Sequence, residues 1–126
     1  MTENEIEKNN KNILEAANAA ISKGDYEGFL QYCSDDTTWE FVGAQTLNGK
    51  EAVRAWMKTA YRQPPVLNVT NLIAEKDFVI ALGTITVYDE QQHPLTSRYC
   101  DVWTVRKDKL TSLRAFVVAN KEAATA

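Results

Sequence analysis

Apolar side chains recur at helical spacing in the first half of the chain. This period predicts helices over residues 3–23, 26–33 and 50–62. Gly24 is placed to end the first helix as its C′ residue, and Asp25 is placed to cap the second. The sequence therefore begins with helices that present one apolar face each.

The second half of the chain alternates apolar and polar residues and is rich in β-branched and aromatic side chains, a pattern typical of strands. The predicted strands cover residues 37–42, 66–74, 78–88, 95–107 and 110–119, with a loop after the first. Short turns between the later strands favour antiparallel pairing. We expect an α+β fold, in which a curved antiparallel sheet wraps around three helices as a cone. One domain is expected over residues 1–126, with its core at about 8–120 and a frayed tail at 121–126.

The strand at residues 97–105 carries the most informative polar residue. Side chains alternate across a strand, so Tyr99, Asp101 and Trp103 share one face, and Arg98 and Cys100 lie on the other. A carboxylate between two aromatic rings must either have its pKa raised or find a strong partner. Most of the functional question therefore concerns Asp101.

Three interpretations of Asp101 are open at this point. It is a cavity acid or base that exchanges a proton with a bound ligand. Alternatively, it is a structural carboxylate paired with Arg98, Arg114 or a tyrosine hydroxyl. In the third, the strand register differs by one residue and the carboxylate is exposed, because such a slip reverses every side chain. The apolar pattern does not choose among them, since Cys100 and its neighbours on the other face are also fairly apolar.

Several aromatic residues are predicted to line one cavity, although large aromatic side chains also fill ordinary cores. Tyr99 or Tyr61 would supply a hydrogen-bond donor beside Asp101, and Tyr99 is the candidate catalytic partner. Walls of this kind suit a hydrophobic small molecule. The candidate ligand-binding residues are Trp39, Phe41, Trp56, Tyr61, Trp103 and Val117.

Composition excludes several classes of function. The 126 residues carry a net charge of −3 without a basic block, which argues against nucleic-acid binding. No apolar run approaches the roughly 20 residues of a membrane span, and the polar N-terminus does not resemble a signal peptide. Cys33 and Cys100 are expected to be buried, reduced thiols, which favours the cytoplasm. One histidine and two distant cysteines predict neither a metal site nor a cofactor site.

Four segments, together with the order of the elements, resemble the nuclear transport factor 2-like superfamily over about residues 8–120. The nearest branch is the SnoaL-like proteins, which include polyketide cyclases and resemble ketosteroid isomerases. The resemblance implies a cone-shaped fold with a pocket, whereas the fold by itself does not determine an activity. The segments are 24–30 (GDYEGFL), 32–39 (YCSDDTTW), 47–53 (LNGKEAV) and 101–105 (DVWTV).

The catalytic groups of ketosteroid isomerases carry over only in part. The position of their general base holds Phe41, and the position of their oxyanion-binding tyrosine falls near Ala17. The position of their protonated aspartate corresponds to Asp101. Steroid isomerisation is therefore not expected, whereas SnoaL-like cyclases resemble this chain in using a carboxylate within an apolar cavity.

Two functions follow as expectations. The first is an acid–base lyase, isomerase or cyclase that acts on a hydrophobic ligand through Asp101 without a cofactor. The alternative is a non-catalytic protein that binds such a ligand. The outer sheet face, with Ile80, Leu82 and Val102, is too apolar for full exposure, and this predicts a homodimer.

Overall fold

A computed structural model describes residues 2–119 and shows the predicted mixed α+β fold, a long N-terminal helix against a curled, unclosed sheet. The predicted tail at 121–126 lies outside the described residues. In chain order the elements are α1 (Glu3–Ser22), α2 (Tyr26–Leu30), β1 (Cys33–Phe41), β2 (Gln45–Asn48), α3 (Lys50–Ala60), β3 (Val66–Glu75), β4 (Phe78–Tyr88), β5 (Pro94–Arg106) and β6 (Lys109–Ala119).

The six strands form one sheet in the order β2-β1-β6-β5-β4-β3. Strands β3 to β6 form the predicted antiparallel meander. The prediction of a wholly antiparallel sheet is wrong at one place, because β1 and β6 pair in parallel. These are the first and the last of the described strands, so no short turn joins them and the antiparallel rule for neighbours does not apply.

The region around β1 differs most from the prediction. Helix α2 ends at Leu30 rather than at 33, and β1 begins at Cys33 rather than at 37. The polar run Ser34 to Asp36 belongs to the strand, where Asp35 and Asp36 are exposed. The segment predicted as a loop contains β2, which pairs antiparallel with β1. The polar run thus lies in an irregular stretch of the strand, because β1 pairs with β6 at Cys33 and then again from Thr38 onward.

The helix termini agree with the sequence signals. Thr2 and Glu5 form a reciprocal capping box at the start of α1. The Asp25 carboxylate accepts a hydrogen bond from the Gly28 amide at 2.9 Å. Gly24 follows α1 with φ of +84°, the left-handed conformation in which a side chain would be strained. These caps fix where α1 ends above the sheet.

The concave face of the sheet packs on one stripe of α1, formed by Leu14, Ala17 and Ile21. Tyr99 and Trp103 of β5 are 7% and 4% exposed on this face. The predicted alternation of β5 is thus confirmed, and a register shifted by one residue is excluded. Asp101, between these two residues, therefore points into the cone.

Gly83 of β4 supplies a test of the packing near this face. A Cβ atom at this position would lie 2.2 Å from the backbone oxygen of Asn68 on β3. We expect Gly83→Ala to lower the free energy of unfolding by about 3 kcal/mol, because backbone atoms must move to relieve the overlap. The matched control is Gly43→Asn, where nothing lies within 4 Å and asparagine tolerates the positive φ.

Urea unfolding of both variants measures this difference. Gly43→Asn should stay within about 1 kcal/mol of the wild type. A Gly83→Ala protein as stable as the control would show that β3 and β4 do not approach as closely as described.

Candidate functional site

A cavity of about 80 Å³ lies between α1 and the concave face of the sheet. Its walls are mostly apolar, and Asp101 is the one charged side chain among the described residues that line it. The predicted residues on its walls are Trp39, Phe41, Tyr61, Tyr99, Asp101, Trp103 and Val117. The cavity therefore collects on one surface all but one of the residues proposed from the sequence.

Asp101 lies between two small residues on the neighbouring strands. Its register partners are Ala81 on β4 and Ala115 on β6, and neither methyl group can hydrogen-bond to the carboxyl. Burial raises the pKa of Asp101 to about 7, because the charged form loses its hydration without gaining a partner. The described surroundings thus leave the carboxyl free to interact with a cavity ligand.

The cationic partners considered for Asp101 lie on the other face of the sheet. Arg114 pairs there with Glu40, with 3.5 Å between Nε and Oε1. Arg98 is exposed on the same outer face. The hypothesis of a structural pair between Asp101 and Arg98 or Arg114 is therefore wrong.

Two tyrosine side chains accompany Asp101 on the cavity wall. Burial, followed by the nearby Asp101 charge, raises the pKa of Tyr99 to about 12 and also raises the pKa of Tyr61. Both phenols are therefore un-ionised at neutral pH and can act as hydrogen-bond donors. The cavity therefore contains one group that can transfer a proton, the Asp101 carboxyl, and two hydrogen-bond donors, the phenols of Tyr99 and Tyr61.

The aromatic wall has two layers. Trp39 and Trp103 meet edge to face, with ring centroids 5.5 Å apart, and both are buried. Trp56 does not line the cavity, contrary to its predicted role in ligand binding. Its ring packs behind Phe41, at a centroid distance of 4.9 Å, and against Tyr61 at 5.2 Å. Trp56 therefore supports the wall, and a ligand would touch Phe41 and Tyr61.

Val117 is 49% exposed and also lines the cavity, which indicates that the opening of the cavity lies near this residue. The sequence did not lead us to predict a role for Asn18 of α1. After Asp101, its amide is the second polar side chain without an aromatic ring on the cavity wall. A signal for it exists, since position 18 falls between Leu14 and Ile21 on the inward stripe of the helix. A polar residue on such a stripe is a candidate ligand contact.

His93 is exposed beside Asp89, with 3.4 Å between Nδ1 and Oδ2. Cys33 is buried and Cys100 half-buried, and both are free thiols. Residues 2–119 contain no group of three potential metal-ligating side chains. No helix in this part of the chain is long and apolar enough to cross a membrane.

Comparison with solved structures shows where this fold occurs. The epoxide hydrolase/cyclase-like enzyme SalBIII, from pyran ring formation in the polyether salinomycin, is 20% identical with a TM-score of 0.81, covering 88% of this chain and 92% of that one. An LEH-like epoxide hydrolase of M. tuberculosis is 17% identical with a TM-score of 0.77, covering 87% and 83%. At these identities the likeness establishes the fold alone.

An NTF2-like protein of unknown function from Burkholderia pseudomallei has a TM-score of 0.75 at 19% identity, covering 85% of this chain and 88% of its own. No curated protein matches the chain. The family model described as SnoaL-like domain matches residues 14–113, a range that extends from α1 to β6 and contains Asp101. The chain therefore belongs to the SnoaL-like domain family.

Proposed function

We propose that this protein is a cofactor-independent acid–base catalyst, an isomerase, cyclase or lyase, acting on a neutral hydrophobic molecule through Asp101. The observation that carries the proposal is a single carboxyl group, without a protein partner among the described residues, inside an otherwise apolar and aromatic cavity. Such a group is suited to move a proton between two atoms of a bound ligand.

The protonation state of the group fits this role. With a pKa of about 7, Asp101 holds comparable amounts of acid and base at neutral pH, the condition under which general acid–base catalysis is most efficient. In the proposed reaction, the carboxylate removes a proton from a carbon next to a carbonyl group. A phenol of Tyr99 or Tyr61 donates a hydrogen bond to the carbonyl oxygen. Asp101 then returns the proton to another atom.

The reactions of structural neighbours support the same chemical class. Two of them are described as epoxide hydrolase-like or cyclase-like enzymes. Opening of an epoxide requires a proton donor at the oxygen, and the protonated form of Asp101 would provide it. Proton donation to an oxygen atom is the chemistry that we carry over to this chain.

The second candidate function is binding without chemistry. It is favoured by the absence of a second ionisable group near Asp101 other than the two phenols, among the described residues lining the cavity. A protein of this kind would hold a hydrophobic ligand against Trp39 and Trp103. The ligand would quench tryptophan fluorescence in a saturable way, and Asp101 would not influence its affinity.

Deuterium exchange into 2-tetralone decides between the two functions. This neutral ketone has two rings and acidic protons next to the carbonyl group. The catalytic proposal expects the wild-type protein to accelerate this exchange in deuterated buffer. Proton NMR measures the exchange rate, which should saturate as the concentration of the ketone rises. Saturable quenching by 2-tetralone without accelerated exchange would instead establish the binding function and refute the catalytic one.

We also propose that two copies pair through the outer face of the sheet. Leu82, Cys100 and Phe116 are register neighbours on three adjacent strands and form an apolar patch there. Polar residues such as Arg98 and Arg114 border this patch. Exposed apolar patches of this kind mark interfaces, and a second copy always supplies an equally apolar surface.

The free thiols of Cys33 and Cys100 favour a reducing compartment, so we propose the cytoplasm as the location.

Light scattering coupled to size exclusion tests the dimer. Phe116→Glu, at a residue that is 42% exposed on the patch, should convert a dimer into a monomer because two charges would be buried at the interface. The matched control is Leu95→Glu, at a residue that is 53% exposed on the opposite face of β5, which should leave the dimer intact. A wild-type protein that is monomeric at micromolar concentration would refute the pairing.

A further inference from the structure

We infer that the ligand site extends beyond the cavity, through the space between Asn18 and Leu67, into the groove between α1 and β3, and that the ligand carries an uncharged polar tail there. This inference rests on the proposed cavity site. It adds a second compartment and the chemical character of the group that occupies it.

Two side chains connect the compartments. Asn18 of α1 and Leu67 of β3 line the cavity, and the same two residues line the groove between α1 and β3. A ligand that passes between them would leave the aromatic walls and enter the groove directly. The Asn18 amide stands at this passage and can both donate and accept a hydrogen bond.

The volumes favour a ligand that occupies both compartments. The cavity of about 80 Å³ is small beside the roughly 300–1,000 Å³ of ordinary small-molecule sites. The groove adds about 420 Å³, which brings the combined space into that range. The inner space thus suits one compact ring system, and the rest of a larger ligand would lie outside it.

The lining of the groove indicates the character of the tail. Ser22, Thr70 and Asn71 provide neutral hydrogen-bonding groups, and Glu15 is the one charged side chain among the described residues of its lining. A carboxylate or phosphate on the ligand would meet an acidic residue and no cation there. The groove therefore fits hydroxyl, ether or amide groups.

The open side of the groove allows entry. Strand β3 ends the sheet order and is hydrogen-bonded to β4 alone. Its pairing with β4 is interrupted between Val69 and Asn71, and the Thr70 hydroxyl donates to the Leu82 carbonyl oxygen at 3.0 Å. Thr70 and Asn71, at this irregularity, both line the groove.

Two neutral probes test the second compartment in the 126-residue chain: 2-tetralone, which has no tail, and 6-(2-hydroxyethoxy)-2-tetralone, which carries a polar tail. Dissociation constants are measured by tryptophan quenching. We expect the tailed probe to bind wild type about tenfold more tightly, the gain from one added hydrogen bond with its apolar contacts. Replacing its hydroxyl group by a carboxylate should remove this gain.

Ala19→Phe is the informative variant, because Ala19 is exposed and lines the groove without lining the cavity. It should abolish the tenfold advantage and leave the affinity for 2-tetralone unchanged. Asn12→Phe, also exposed on α1 and outside both linings, should change neither. Equal affinities of the two probes in wild type, or a tailed probe insensitive to Ala19→Phe, would refute the groove site alone. Failure of 2-tetralone to bind at all would refute the cavity site as well.

Discussion

Asp101→Asn is expected to reduce the rate of proton exchange in 2-tetralone by about 10²–10⁴-fold, the usual contribution of a positioned general base. The amide has nearly the same shape as the carboxyl group but cannot accept a proton from carbon. The cavity walls stay in place, so quenching of tryptophan fluorescence by the ketone should persist. Loss of exchange with retained binding would identify Asp101 as the base.

The pH dependence provides an independent signature of the same group. Exchange in the wild type should rise with pH through about 7 and then level off, because only the ionised carboxylate removes a proton and burial raises the pKa of Asp101 to about 7. The control is Asp36→Asn, at an exposed carboxylate of β1, which should keep both rate and profile. Exchange that survives in Asp101→Asn would exclude Asp101 from catalysis.

The second large effect of Asp101→Asn concerns stability. The substitution lowers the rate of exchange, but it should raise the free energy of unfolding at high pH. The folded-state pKa of Asp101, about 7, lies above the ordinary aspartate value of about 3.9. Between these values the folded protein holds a proton that the unfolded chain releases, so stability falls as pH rises through this window. Above it, the buried charge lowers the free energy of unfolding by about 4 kcal/mol. Asp101→Asn removes this pH-dependent cost.

Urea unfolding at about pH 5 and about pH 8.5 measures the effect. The stability difference between Asp101→Asn and the wild type should grow in favour of the variant by about 3 kcal/mol from the lower to the higher pH. Other carboxylates titrate alike in both proteins and cancel from this comparison. A difference independent of pH would mean that Asp101 is hydrated or paired, and the proposed proton transfer would lose its physical basis.

The sequence predicts well those features that depend on local periodicity. The alternation along β5 correctly directs Asp101 inward, and residues 24 and 25 correctly mark a helix boundary. It fails where pairing is non-local. The parallel contact of β1 with β6 joins residues far apart in the chain, and its register shifts between Cys33 and Thr38, which no local period encodes.

The site was predictable to a similar extent and for the same reason. Aromatic residues on inward faces were readily assigned to a cavity. Trp56 was assigned to the wall because aromatic character alone does not distinguish a first layer from a second one, and only the packing on Phe41 does so. The helical spacing places Asn18 on the inward stripe of α1, but it does not tell whether a polar residue there meets a cavity or the closed core, which depends on how α1 crosses the sheet.

The two alanines beside Asp101 have a consequence for how chemistry could diversify on this fold. Ala81 and Ala115 flank the carboxyl directly, so one substitution at either position would bring a new side chain beside it. A lysine or arginine there would hold the carboxylate ionised, and a second acid would keep it protonated. Single substitutions at these two positions would thus make Asp101 a base or an acid, or leave the cavity as a binding site without catalysis. This offers a route for divergence between relatives with the same backbone.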